Sequence, residues 1–272
     1  MGRFLPRYFR SIAMLLAAAA LIVFPLVGLQ AEPPSQVVVY DASGSMYRSD
    51  TGEYRYRLAQ KVVARLAEAM REHNITTPTG MVVFGRQYFQ GLHVCQDIEV
   101  PVRVPSAGAP NSLAQIVAEA ERTKPNGQTP LLDAMIKAAE QMPPQGGMVT
   151  VITDLDEETC GGDPCDIAAR LQAIGRPLGS VVNVGFVVAT GLQAQTNGQA
   201  VQRFSNCVGG NLRFVDTLAR AEQVADEIAT SLAAWRPGGN ALTQPPALSN
   251  PGQFPRGRRY GLCAVPRHHD LA

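Results

Sequence analysis

The sequence predicts an α/β protein: a doubly wound, mainly parallel central sheet with helices on both faces and one antiparallel edge strand or hairpin. Three observations predict it. Val37–Tyr40, Met81–Phe84, Met148–Ile152 and Val181–Val188 are short, nearly unbroken apolar runs, the pattern of strands covered on both faces. Segments with helical period lie between them, and strands alternating with helices wind into a parallel sheet. The segment His93–Val104 instead alternates apolar and polar residues, which suits a hairpin or edge strand.

The helices follow in chain order. Tyr54, Leu58, Val62, Leu66 and Met70 recur every fourth residue and form one buried stripe. Leu113, Ile116, Val117 and Ala120 form a second, and Leu218, Ala221, Ala225, Ile228 and Leu232 a third. Leu131–Met142 and Ile167–Ile174 carry a weaker helical period. These elements assign residues 32–235 to one folded domain. From Arg236 the chain turns to Pro, Gly and Asn without apolar period, so 236–272 is expected to be a disordered tail. There is no internal repeat.

Composition narrows the class. Hydrophobic residues make up 46% and charged residues 17%, as in globular proteins. A formal net charge of +1 gives no reason to expect a nucleic acid as partner. At the start of the chain, Arg3, Arg7 and Arg10 precede an apolar stretch from Ile12 to Leu29, followed by Gln30-Ala31-Glu32. That pattern is a secretory signal over residues 1–31, with an uncleaved anchor as the alternative. Either way the domain is exported, to the periplasm or beyond, free or held at the inner membrane. Cysteine usage agrees with export. Cys160 and Cys165 bracket the turn residues Gly161, Gly162 and Pro164, so a local Cys160–Cys165 disulfide is the favoured expectation. Cys95 and Cys207 are candidates for a second bridge and Cys263 is left over; the connectivity of these three stays open.

The chemistry gathers at strand ends. The first apolar run stops in Asp41-Ala42-Ser43-Gly44-Ser45. One carboxylate and two hydroxyls in one turn form an oxygen-only set, which hard divalent cations prefer. In an open α/β sheet, ligands bind in the crevice beyond the carboxyl ends of the strands. The run MVTVITD ends there in Asp154, and the loop NGQTPLLDAM presents Thr129 just before a helix expected to start at Pro130. Each residue also has a plainer explanation. Ser43 and Ser45 can satisfy turn amides or cap a helix, Thr129 with Pro130 makes a good helix start, and both aspartates can be ordinary loop carboxylates. Their joint order and their placement after apolar runs favour one site.

That order resembles the metal site of von Willebrand factor A (vWA) domains: D-x-S-x-S, a loop threonine and a strand-end aspartate. The segments GQTPLLDAMIKAAEQM, ITDLDEETCGGDPCDIAARL and VCQDIEV, with Gly209-Gly210, resemble a bacterial secreted branch with a T-P-L segment and a T-C-G-G-D-P-C loop. The resemblance runs from about Gln36 to Leu232. It implies a vWA/Rossmann-like fold and a metal-ion-dependent adhesion site (MIDAS). Ser43, Ser45 and Thr129 would be direct ligands to Mg²⁺, or alternatively Mn²⁺. Asp41 and Asp154 would act largely through water. One departure concerns Asp154: the family follows this aspartate with glycine, whereas Leu155 stands here, in a loop one residue longer than usual. Asp156, Glu157 or Glu158 are alternative carboxylates at that point.

Three hydroxyls bring no charge, so the ion keeps a positive face suited to an acidic residue of a protein partner. The expected function is an exported, non-catalytic binding module. One alternative is an interaction scaffold with a vestigial metal site. A metal-dependent hydrolase ranks below both. His268 and His269 fall in the tail and His73 on an exposed helix face, while His93 stands beside Cys95, which is expected to be oxidised.

Overall fold

A computed structural model describes residues 34–235, apart from 51, 88–92, 107–108, 156–159, 161 and 192–197. The signal or anchor over 1–31, the tail 236–272 with Cys263, and Asp156, Glu157 and Glu158 lie outside the described residues.

Six strands form one sheet in the order β3-β2-β1-β4-β5-β6. They are β1 (Ser35–Asp41), β2 (Thr79–Phe84), β3 (Ile98–Val102), β4 (Gly147–Thr153), β5 (Val182–Thr190) and β6 (Asn211–Val215). All neighbours are parallel except β2 and β3. The antiparallel β3 is the edge strand expected within His93–Val104, and its position at the edge tolerates Pro101, which has no N–H to donate to a ladder. The helices are α1 (Arg55–Glu72), α2 (Leu113–Arg122), α3 (Leu131–Glu140), α4 (Ile167–Ala173), α5 (Gly198–Val208) and α6 (Leu218–Ala234).

Period-two alternation divides the strand side chains between two cores. Val38 and Tyr40 point to the face covered by α1, α2 and α6. Val37 and Val39 point to the face covered by α3, α4 and α5. Both faces are dry, which explains why these strands lack polar alternation. After β1 the chain builds outward through β2 to β3, then returns to place β4 on the other side of β1. That reversal sets β1 beside β4, and in open wound sheets ligands bind at the carboxyl ends of such a pair. Asp41 closes β1, and Asp154 follows the last residue of β4. Among the described residues no helix is long and apolar enough to cross a membrane.

Three expectations need correction. Tyr54 does not belong to the α1 stripe: it precedes the helix and is exposed, and Arg55 occupies the buried face with Leu58, Val62, Leu66 and Met70. The helix after Thr129 begins at Leu131, one residue later than expected, so Pro130 and not Thr129 is its cap residue. The disulfides are Cys95–Cys160 and Cys165–Cys207, with Cα–Cα separations of 5.3 and 4.7 Å. The favoured Cys160–Cys165 bridge is absent because a short 3-10 turn starts at Pro164. Asp163 accepts the Cys165 N–H at 3.0 Å and pairs with Arg203 of α5, so the turn faces α5 and Cys165 meets Cys207 there. The strand β6 and helix α5 complete the wound sheet and were not expected from the sequence.

Candidate metal centre

The Asp41–Ser45 turn is organised by its own first residue. The Ser43 N–H donates to Asp41 Oδ1 at 2.7 Å, and the Thr153 hydroxyl donates to Asp41 Oδ2 at 2.5 Å. Gly44–Tyr47 then form one 3-10 turn in which no side chain caps the start. The serine hydroxyls are thus not spent on capping. Ser43 Oγ lies 3.0 Å from Ser45 Oγ, and Ser45 Oγ donates to Asp154 Oδ1 at 3.0 Å. Asp41, Ser43 and Asp154 are buried, and Ser45 is half-buried.

Thr129 reaches the same neighbourhood through backbone. The Asn126 N–H donates to the Ala42 carbonyl at 2.9 Å, the Gly127 N–H to Gly85 at 2.6 Å, and the Gly44 N–H to Gly127 at 2.8 Å. This stitch lays the loop along the Asp41–Ser45 turn and buries Thr129 two residues further on. It depends on Gly85, whose φ of +71° suits glycine, and on which a Cβ would run into the Gln128 carbonyl. Asp97 orders the neighbouring turn, accepting the Gln87 N–H on its carboxylate at 2.6 Å and the Gly85 N–H on its carbonyl at 3.0 Å.

Asp154 lies beside Ser45, and Leu155 follows it. Leu155 adopts φ +52°, the left-handed conformation that glycine takes readily and leucine rarely. Its N–H donates to Thr153 Oγ1 at 3.1 Å, and its side chain packs on the apolar core. A leucine therefore makes the bend that glycine would make.

The residues least visible in sequence sit behind Asp154. Arg55 is wholly buried at the head of α1. Its Nη1 donates to Asp154 Oδ2 at 2.8 Å, and its Nε and Nη2 donate to Asp50 at 2.8 and 3.0 Å. Gly191, at φ +92° after β5, passes over this pair so closely that a Cβ would collide with Asp50 and Arg55. The available signal was a charged residue on the apolar face of α1, three positions before Leu58. Thr153 and Asp97 gave no such signal.

The electrostatics invite a cation. Burial first, and then the charge of Asp154, push the Asp41 carboxyl up to about 7, against the stabilising hydrogen bonds from Ser43 and Thr153. A divalent ion between the two carboxylates would remove that repulsion. The donor spacing also suits one: octahedral Mg²⁺ bonds of 2.0–2.1 Å set adjacent ligands about 3.0 Å apart. The Ser43–Ser45 separation of 3.0 Å is compatible with two such neighbouring ligands. Oxygen-only donors favour Mg²⁺ or Mn²⁺ over softer ions.

No family model matches the chain. Two uncharacterised Bacillus subtilis proteins resemble it. YwmC is 29% identical over 177 residues, covering 62% of this chain and 73% of its own length. YwmD is 32% identical over 158 residues, covering 54% and 65%. Among solved structures, the conserved hypothetical protein BatB from Bacteroides thetaiotaomicron superposes with TM-score 0.55 at 17% identity, over 74% of this chain and all of that one. The von Willebrand factor type A protein from Catenulispora acidiphila gives 0.51 at 15% identity, over 74% of this chain and 43% of that one. The pilus adhesin SpaC from Lactobacillus rhamnosus GG gives 0.52 at 14% identity, over 75% and 31%. At these identities the likeness is one of fold, and the fold is that of vWA-type domains.

Proposed function

We propose that this chain is an exported binding module that holds a divalent cation, Mg²⁺ or Mn²⁺, and through it captures an acidic side chain of a protein partner. The observation that carries the reading is that Ser43 Oγ, Ser45 Oγ and Asp154 Oδ1 are gathered within hydrogen-bond reach of one another, at 3.0 Å for each step, where β1 and β4 end. Ser43, Ser45 and Thr129 would ligate the ion, and Asp41 and Asp154 would hold its waters. The bound ion would supply a positive, coordinatively open face, and no step in the function needs an acid, base or nucleophile. His73 and His93 are exposed, and Cys95 is taken up in a bridge, which speaks against a hydrolase.

The surface around the site favours a protein partner. Tyr47, in the same turn as Ser45, clusters with Tyr54 and Tyr56 at centroid distances of 5.2–5.7 Å. The Arg57 guanidinium lies over the Tyr56 ring at 5.7 Å. Tyr47 and Tyr54 are exposed, and exposed tyrosines near an arginine are typical of interface anchors. The likeness in fold to a pilus adhesin agrees with an interaction role, and the two disulfides agree with export. Calorimetry on the oxidised protein is expected to show Mn²⁺ binding that Asp41→Ala abolishes; no binding by the wild type would refute the reading.

A second reading has one observation in its favour. Arg55 already gives Asp154 a cationic partner within the fold, as expected of an interaction scaffold with a vestigial metal site. Capture of a partner from envelope extract that persists unchanged in EDTA would support it.

A further inference from the structure

We infer that Arg55 is the specificity-determining residue of the metal site: its guanidinium cancels the charge of Asp154, so that a bound divalent ion keeps a surplus positive charge for an anionic ligand. The inference rests on the metal-binding reading and deepens it.

The geometry divides Asp154 between two tasks. Oδ2 is committed to Arg55 Nη1 at 2.8 Å, with both side chains about 1% exposed. Oδ1 faces Ser45 Oγ at 3.0 Å. Asp154 can therefore offer the ion or its waters a single oxygen, never a bidentate grip. Arg55 cannot swing away, because Asp50 holds its other edge through two hydrogen bonds at 2.8 and 3.0 Å, and Gly191 closes over the pair. Arginine suits this task better than lysine. Its planar fork serves two carboxylates at once and cannot lose its proton.

Charge counting gives the consequence. Asp41 and Asp154, one shell out, would offset much of a divalent ion's charge and weaken its attraction for a third carboxylate. With Arg55 beside Asp154, the ion, the two carboxylates and the guanidinium sum to +1. Asp50 restores balance only from the far side of the guanidinium, so its charge reaches the ion more weakly. The fold thus gives up some affinity for the cation in exchange for preference for an anionic ligand. Arg55 acts through Asp154, as a positioning residue.

Two roles for Arg55 predict opposite signs. A guanidinium that only supports the fold would, when removed, loosen Asp154 and weaken metal binding. A charge-cancelling one would, when removed, strengthen it. The experiment is calorimetric titration of the oxidised protein with Mn²⁺, and then of the Mn²⁺-loaded protein with acetate as the carboxylate probe. Arg55→Gln is expected to bind Mn²⁺ about tenfold more tightly and acetate several-fold more weakly. Arg55→Lys keeps the charge but cannot span both carboxylates, and should fall between wild type and Arg55→Gln in both. Unchanged or weaker Mn²⁺ binding by folded Arg55→Gln would overturn the inference.

A second arm covers the case in which Arg55→Gln does not fold. Asp154→Asn leaves Arg55 unopposed and should abolish Mn²⁺ binding. Asp154→Asn with Arg55→Gln removes both charges while keeping a hydrogen-bonded pair of similar shape, and should restore binding. Failure of the double variant to recover any affinity over Asp154→Asn overturns the inference as well. Absence of Mn²⁺ binding by the wild type is a different result: it removes the metal reading itself, and this inference with it.

Discussion

At the scale of single residues, the site is held by charges that oppose one another in the cation-free protein. Asp41 is raised to about 7 by burial and by Asp154, while an unfolded aspartate titrates near 4. Its contribution to stability is therefore present below about pH 4 and lost as pH rises through about 7. Melting in EDTA is expected to show falling stability across that window, and Asp41→Asn should flatten the slope. Gly85 makes a separate test. Gly85→Ala adds a Cβ against the Gln128 carbonyl at a positive φ and should cost about 2 kcal/mol or more, read as a lower melting temperature. Residue identity at the site was only half legible. The two serines, Thr129 and both aspartates stand out because hydroxyls and carboxylates at strand ends are a chemical pattern. Arg55 and Thr153 do not, because their roles depend on which strands become neighbours.

At the scale of elements, the central strands and the long helices were readable for one reason. Burial on both faces writes an apolar run, and burial on one helix face writes a stripe. Where burial is partial, the signal fades. β6 is a half-buried edge strand and writes no apolar run; α5 does carry a buried stripe, Val201, Phe204 and Val208, but it is short and set among polar residues. Leu58 is wholly buried against the sheet, and Leu58→Ala should destabilise by about 2–5 kcal/mol in a urea titration. The disulfides tie loops to elements: Cys95–Cys160 joins the loop after β4 to the turn before β3, and Cys165–Cys207 joins it to α5. Replacing Cys165 and Cys207 together by serine should cost about 2–4 kcal/mol, in the same titration.

At the scale of the molecule, metal binding and folding are linked. An ion that binds only the folded state at a hundred times its Kd adds about 2.7 kcal/mol. For a domain of this size that corresponds to a rise in Tm of about 5–10 °C. Differential scanning calorimetry with saturating Mn²⁺ against EDTA is expected to show a rise of that order, absent in Asp41→Ala. The crevice between β1 and β4 was legible as an expectation because a wound sheet places its ligands where strand order reverses. The actual reversal, with β4 beside β1, depends on long-range pairing that no local pattern encodes.

The two bridges also bear on how the protein matures. Cys160 and Cys165 stand five positions apart, whereas their native partners lie 65 and 42 residues away. In an unfolded chain, closing the short loop is favoured over the 65-residue one by about 2 kcal/mol of chain entropy. The first oxidation product is then expected to be the non-native pair, with the native pairs reached by exchange over seconds to hours. That pair would also release the segment after Asp154 from the turn at Cys95 and from α5. Acquisition of the finished site is then expected to be faster when a thiol-exchange catalyst is present during oxidative refolding.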